Sequence, residues 1–385
     1  MDRRTFIRGM CAGGVATFTS GTLSLATVPG SGKLVFVLLR GGLDGLSAVV
    51  PYGDRDYQDV RGRLAFQKTD LEVLNDQFGL APGLHPLKQL WDQGELAVVH
   101  AMAIPYRTRS HFDGQAILET GLDAPRGSSD GWLNRLLQVM HGKRSGIAVA
   151  AGLPLSLSGA HSVKTWSPAN LGVVDDGYVD RLHVLYQHDP RLLDRFEAAL
   201  QMPEVGMMRT SRSGGRQQIE AILGATARFL REPGGPNVAA VEFSGWDTHA
   251  NQGRQGGQLD RLLAQLARGI LTFKSQVGST WDQTTLVVMT EFGRTARPNG
   301  TGGTDHGTAG AGFIVGPNLS RSRVLSDWPG LAKTALYESR DLRPTLDTRA
   351  VLKAVVEGCF ELNRNQLNRI FPGADHLKGF SDLMS

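Results

Sequence analysis

The sequence predicts an α/β protein: a mostly parallel central sheet with helices on both faces and a helical insertion. Three observations carry this. Short unbroken apolar runs recur along the chain, amphipathic segments separate them, and polar, glycine-rich motifs stand where the runs end. A strand buried on both faces reads as a continuous apolar run, and its alternation with amphipathic helices marks a parallel sheet covered on both sides.

Leu34–Leu39 (LVFVLL) is the first run, and it breaks into Arg40-Gly41-Gly42-Leu43-Asp44-Gly45. Leu96–Met102 (LAVVHAM) is the second, followed by Pro105 and a helix expected from Ser110 to Thr120. Val238–Phe243 (VAAVEF), Leu286–Thr290 (LVVMT) and Gly312–Val315 complete the set. Within Gln255–Val277, residues Leu259, Leu262, Leu263, Leu266, Ile270 and Phe273 recur at helical spacing and define one apolar face. Residues 153–235 carry fewer strand signals and short helical patterns near Val179–Leu200 and Gln217–Leu230. They read as an insertion or subdomain within one α/β domain spanning 29–385.

Residues 1–28 read as a twin-arginine export signal. Arg3 and Arg4 are paired, Phe6 and Arg8 follow, and Cys11–Val28 is a weakly apolar stretch rich in Ala, Gly, Thr and Leu. A membrane span needs about 20 strongly apolar residues, and Gly13, Gly14 and Gly21 dilute this one. No permanent membrane anchor is expected. The implied partner is the twin-arginine translocase, the destination is the periplasm or the exterior, and cleavage falls between Leu25 and Ser31. Of the formal charge of +4, the signal holds three arginines against one aspartate, which leaves about +2 on the mature chain. That balance is too even to imply a nucleic acid or an anionic membrane surface as partner, and no nucleic-acid partner is expected. Cys359 is the one cysteine beyond the signal, so no intramolecular disulfide forms in the mature chain.

Chemistry-bearing residues gather at the ends of the runs, where parallel sheets bind ligands. Asp44 lies between glycines after the first run, either as a turn residue or as a ligand. Glu242, Asp247 and His249 fall within eight residues at the end of VAAVEF. Oxygen and nitrogen donors of this kind suit zinc, manganese or another first-row divalent ion. Glu291 follows LVVMT, either as a site carboxylate or as a partner of Arg294. Asp305 and His306 precede GFIVGP as a pair of ligands, or as an Asp that fixes a histidine tautomer. Arg109 and Ser110 open the second helix, where a hydroxyl serves as an N-cap or as a nucleophile in positive potential. Other motifs fail: Gly30-Ser31-Gly32-Lys33 lacks the upstream glycine of a phosphate loop, GGLDGLS has the wrong spacing for a dinucleotide fingerprint, and no Gly-x-Ser-x-Gly elbow occurs.

Five ordered blocks then resemble a bacterial, twin-arginine-exported family of unknown function, number 1501, in the alkaline-phosphatase and sulfatase-like superfamily. They are RGGLDGL at Arg40–Leu46, RSHFDGQ at Arg109–Gln115, GWDTH at Gly245–His249, TEFGRT at Thr290–Thr295 and GGTDHGTAG at Gly302–Gly310. The resemblance covers essentially the whole chain and implies an alkaline-phosphatase-like core, with two divalent metals flanking a Ser or Thr nucleophile. Carried over by position, Ser110 resembles the nucleophile. Asp44, Glu242, Asp247, Glu291 and His306 resemble the metal-site acids and the late histidine. Phe292 stands where that resemblance calls for a histidine, and His249 follows Asp247 by two residues rather than four. Asp305 compensates for the lost ligand, or the site binds one ion. The Cys-x-Pro-x-Arg signature of formylglycine sulfatases is absent.

Two functions are therefore expected to compete. One is an exported, metal-dependent hydrolase of a small-molecule or glycan phosphate or sulfate ester, with Ser110 as nucleophile and Arg109 or Arg294 clamping the anion. The other is a non-catalytic binding or assembly protein on a degenerate hydrolase scaffold, which Phe292 suggests.

Overall fold

Six consecutive residues, Leu34 to Leu39, are each at most 1 % exposed, so the strand that holds them must be covered on both faces. In the computed structural model it is β1 (Lys33–Arg40). The structure describes residues 32–125, 129–140, 144–150, 152–167, 218–377 and 383–384, with single positions at 186, 193, 194 and 197. The expected export signal lies outside the described residues, as does nearly all of the Val179–Leu200 pattern.

β1 pairs in parallel with β8 (Val238–Ser244) on one side and β9 (Thr284–Met289) on the other. Beyond β8 lie β6 (Gly146–Val149) and β7 (Lys164–Trp166), and beyond β9 lies β10 (Gly310–Val315). β10 then pairs with β5 (Leu96–Ala103), which also carries the short strands β11 (Arg323–Leu325) and β12 (Leu346–Asp347). The order is β11-β5-β10-β9-β1-β8-β6-β7, parallel throughout except for β10. A separate small sheet joins β2 (Val49–Val50), β4 (Gly79–Leu80) and β3 (Glu72–Val73).

Side chains alternate across the pleat. Val35, Val37 and Leu39 pack against the helices Gln218–Arg231 and Gln258–Val277, including Leu223, Leu263, Leu266, Ile270 and Phe273. Leu34, Phe36 and Leu38 pack against His111–Thr120, Trp132–Val139, Thr348–Phe360 and Arg364–Ile370, with Trp132 edge-on to Phe36 at 5.2 Å between centroids. Each fully buried aliphatic or aromatic side chain in these layers contributes about 1.5–3 kcal/mol. The five expected strands and the helix after β5 are present. The long helix begins at Gln258 rather than Gln255, because a turn closed by Gly257 N–H on Arg254 C=O precedes it. The two described ends of the 153–235 segment belong to the main body: β7 extends the sheet beside β6, and the Gln218–Arg231 helix covers it.

Because β1, β5, β6, β8 and β9 run in one direction, their carboxyl ends share an edge. β10 runs the other way, so its amino end meets that same edge.

Candidate metal centre

Three histidines and one aspartate converge at this edge. His111 opens the helix after β5, Asp247 and His249 follow β8, and His306 precedes β10. His306 Nε2 lies 2.9 Å from His111 Nε2 and 3.0 Å from His249 Nε2. Asp247 Oδ1 is 3.0 Å from His249 Nε2 and 3.4 Å from His306 Nε2, and its Oδ2 is 3.5 Å from His111 Nε2.

The opposite nitrogen of each ring determines what these atoms are. His111 Nδ1 meets Glu291 Oε1 at 2.7 Å, His249 Nδ1 meets Asp305 Oδ1 at 3.2 Å, and His306 Nδ1 meets the Arg109 carbonyl at 3.0 Å. A carboxylate or carbonyl only accepts, so each Nδ1 carries the proton and donates it. His306 Nε2 thus stands between His111 Nε2 and His249 Nε2, with the Asp247 carboxylate beside all three, and His111, Asp247 and His306 each bring one donor atom within 4.8 Å of the others. Donors of one tetrahedral zinc ion stand about 3.3 Å apart when Zn–N is about 2.05 Å, close to the spacings among His111, His306 and Asp247. The residues fit a divalent ion, and the acceptors behind the rings are those that raise imidazole basicity at metal sites.

The surroundings reinforce this polarity. The Glu291 hydrogen bond raises the His111 pKa above the ordinary histidine value, although burial opposes it. Burial, helped by the His111 charge, lowers that of His306. For Asp247, burial pushes upward, but the Arg294 hydrogen bond and charge outweigh it and keep the carboxyl ionised. Arg294 is itself buried, with Nη1 2.5 Å from Asp247 Oδ1 and Nε 3.2 Å from Thr304 Oγ1. Phe292, which sequence reasoning took as a missing ligand, forms a wall: its ring centroid is 4.7 Å from His111 and 5.3 Å from His306. Arg109 adopts φ +64, a strained left-handed conformation for a non-glycine residue. Its carbonyl reaches His306, while its guanidinium is tied to Asp341 at 2.8 Å and Glu338 at 2.5 Å.

The other expected site residues lie close by in different roles. Glu291 is fully buried and stands behind His111. Its Oε1 accepts from Gly41 N–H, His111 and Gln115, and its Oε2 from Thr290. Asp305 also stands behind a ring, that of His249 rather than of its neighbour His306. Asp44 Oδ2 accepts from Arg61 at 2.5 Å, Gln252 at 2.7 Å and Ser47 at 2.9 Å, and the Asp44–Arg61 pair is wholly buried. Glu242 takes a two-pronged hydrogen bond from Arg40, at 2.7 and 2.9 Å. Ser110 caps its helix, with Oγ accepting Asp113 N–H at 3.4 Å. Sequence reasoning singled out Ser110 and passed over His111, although the i, i+4 pair His111 and Gln115 both reach Glu291 from one helical face.

Glu291, Arg294, Asp305 and His306 come from one excursion. The chain leaves β9, turns near residue 300 and returns to β10 as a ribbon, with Thr295 N–H on Asp305 C=O, Gly307 N–H on Gly293 C=O and Gly293 N–H on Thr308 C=O. The two arms touch so closely that a Cβ on Gly293 would stand 1.9 Å from the Ala309 oxygen, and one on Gly307 2.3 Å from the Arg294 carbonyl.

Fold and site together define an α/β protein with a nitrogen-rich centre, at the carboxyl edge of a parallel sheet, that can hold a divalent cation. The chain belongs to the family described as "Protein of unknown function (DUF1501)", which it matches over residues 94–371. No curated protein matches it in sequence. Solved structures with remote similarity include the alkaline phosphatase of the Antarctic bacterium TAB5, at 10 % identity and TM-score 0.37, covering 89 % of this chain and 99 % of that one. The 2-O GAG sulfatase BT1596 gives 8 % and 0.39, covering 91 % and 73 %. The phosphonate monoester hydrolase of Agrobacterium radiobacter gives 12 % and 0.32, covering 76 % and 70 %.

Proposed function

We propose that this protein is an exported, metal-dependent hydrolase of a phosphate or related sulfate ester that works with one divalent ion. The observation that carries the proposal is the convergence of His111, His306 and the ionised Asp247, whose donor atoms lie within 4.8 Å of one another. His111, His306 and Asp247 are the proposed ligands, His249 stands beside them with its Nε2 3.0 Å from Asp247 Oδ1, and imidazole donors favour zinc over manganese. When bound, such an ion supplies Lewis-acid polarisation of the ester oxygens. Glu291, Asp305 and the Arg109 carbonyl hold the ring protons away from the centre, Arg294 keeps Asp247 ionised, and Phe292 shuts water out of one flank. A second ion has little to bind, because Arg61 neutralises Asp44 and Arg40 neutralises Glu242. Ser110, next to His111 at a helix amino end, is the proposed nucleophile. Phe112, 89 % exposed beside His111, is proposed to meet the ring of a small-molecule or glycan ester. The paired arginines support export through the twin-arginine translocase. No described helix is long and apolar enough to cross a membrane.

The second reading, a metal-holding protein without turnover, is favoured by the engagement of Arg109 and Arg294 with acidic partners, which removes both expected anion clamps. Metal analysis and turnover of aryl phosphate, phosphodiester and aryl sulfate separate the two. One ion per chain and activity lost in His306→Ala and Ser110→Ala are expected. Metal-free protein defeats both readings, metal without turnover leaves the second, and activity surviving Ser110→Ala removes that nucleophile alone.

A further inference from the structure

The Arg109 carbonyl lies 3.0 Å from His306 Nδ1, and the guanidinium of the same residue is held by two carboxylates of opposite character. Its Nε meets Asp341 Oδ2 at 2.8 Å, and Asp341 is fully buried and also accepts from Thr308 Oγ1 and Arg340 Nη1. Its Nη2 meets Glu338 Oε2 at 2.5 Å, and the Glu338 side chain is 54 % exposed. The first contact aligns the arginine. The second is an ion pair open to water, which leaves it little net attraction.

The backbone on both sides of that weak pair is strained. Glu338 and Ser339 have φ of +50 and +53 at the centre of a turn closed by Arg340 N–H on Tyr337 C=O, where glycine or asparagine is the ordinary choice. Arg109 is left-handed too, at φ +64. Strain of this kind gathers at ligand clamps. The turn is fixed to the ribbon that carries His306, through Ala296 N–H on Arg340 C=O and a bridge between Thr295 and Asp341.

We propose that Glu338 is an internal anion seated on Arg109, which the oxyanion group of an incoming phosphate or sulfate ester displaces. This rests on the reading of the centre as one that receives such an ester. A carboxylate and a phosphate or sulfate group present similar paired oxygens to the guanidinium fork, so one replaces the other while Asp341 keeps the arginine aligned. Glu338 thereby lowers the affinity for every oxyanion and turns away ligands that bring no charge to take its place.

Calorimetric titration of the full-length protein as purified, with inorganic phosphate and separately with inorganic sulfate, tests this by the sign of the change. Losing a purely structural ion pair weakens binding, whereas losing a competitor strengthens it. In Glu338→Gln both ions are expected to bind about two- to fivefold more tightly, the range an exposed ion pair carries. Adding Arg109→Gln, which leaves Asp341 its Thr308 and Arg340 partners, is expected to erase the gain and weaken binding about tenfold or more. Asp113→Asn removes a carboxylate that faces the Tyr106 hydroxyl instead, and it is expected to change affinity by less than about twofold, as screening allows. The ion that binds more tightly assigns the ester. Absence of binding, unchanged or weaker binding in Glu338→Gln, an equal gain in Asp113→Asn, or a gain that survives Arg109→Gln overturns the proposal. A gain in protein that turns over no ester keeps the oxyanion clamp and defeats hydrolysis, whereas turnover without the gain overturns the clamp and leaves hydrolysis standing.

Discussion

Replacing Glu291 by glutamine tests the logic of the centre without touching a ligand. The amide is isosteric and retains an acceptor oxygen for Gly41, His111 and Gln115, so the buried donors remain satisfied. What disappears is the negative charge 2.7 Å from His111 Nδ1, which makes that imidazole a stronger donor. Loss of such a partner behind a ligand costs about 10- to 100-fold in metal affinity, or roughly 1.4–2.7 kcal/mol. Competition for zinc against a chromophoric chelator at fixed pH measures it directly. Glu242→Gln is the matched control, because that carboxylate faces Arg40 and its loss is expected to leave zinc affinity unaltered. Affinity in Glu291→Gln within twofold of wild type, or an equal loss in both variants, would refute the claim that Glu291 acts through His111.

Asp44→Asn leaves Arg61 charged and buried without its carboxylate, so urea denaturation should show a loss of about 3–5 kcal/mol, while zinc affinity per folded chain holds. Burial, partly offset by Arg40 and reinforced by Glu242, raises the Glu119 pKa from 4.5 to about 7. Between those values Glu119 is protonated in the folded chain and ionised in the unfolded one. Its contribution is full below about pH 4.5 and is lost as pH rises through about 7, by roughly 3 kcal/mol at most; denaturation of metal-free Glu119→Gln across that range should be correspondingly flatter. Phe112→Ala should leave stability within about 0.5 kcal/mol and raise KM for aryl esters more than for methyl esters, which steady-state kinetics would reveal.

The sheet was legible where burial on both faces forces unbroken apolar runs, as in Leu34–Leu39 and Val238–Phe243. β7, β11 and β12 escaped because two or three residues carry no period. The reversed direction of β10 escaped because GFIVGP reads the same either way; direction is set by how the preceding chain returns. At the site, clustering of acids and histidines at strand ends was legible, but their division of labour was not. That Asp44 and Glu242 pair with Arg61 and Arg40 has no local sequence signal, and a lone histidine such as His111 has no local pattern that separates it from a surface residue. Its partners are 180 and 195 positions away.

The ribbon between β9 and β10 starts and finishes on neighbouring strands, and its arms are stitched to each other. It is therefore a cassette: a contiguous stretch of about twenty residues, bounded by two fixed anchor points, that carries one proposed ligand, two ring supports and the arginine behind Asp247. Exchanging that one segment would change four residues of the proposed centre at once, whereas His111, Asp247 and His249 reach it from two separate stretches of the chain.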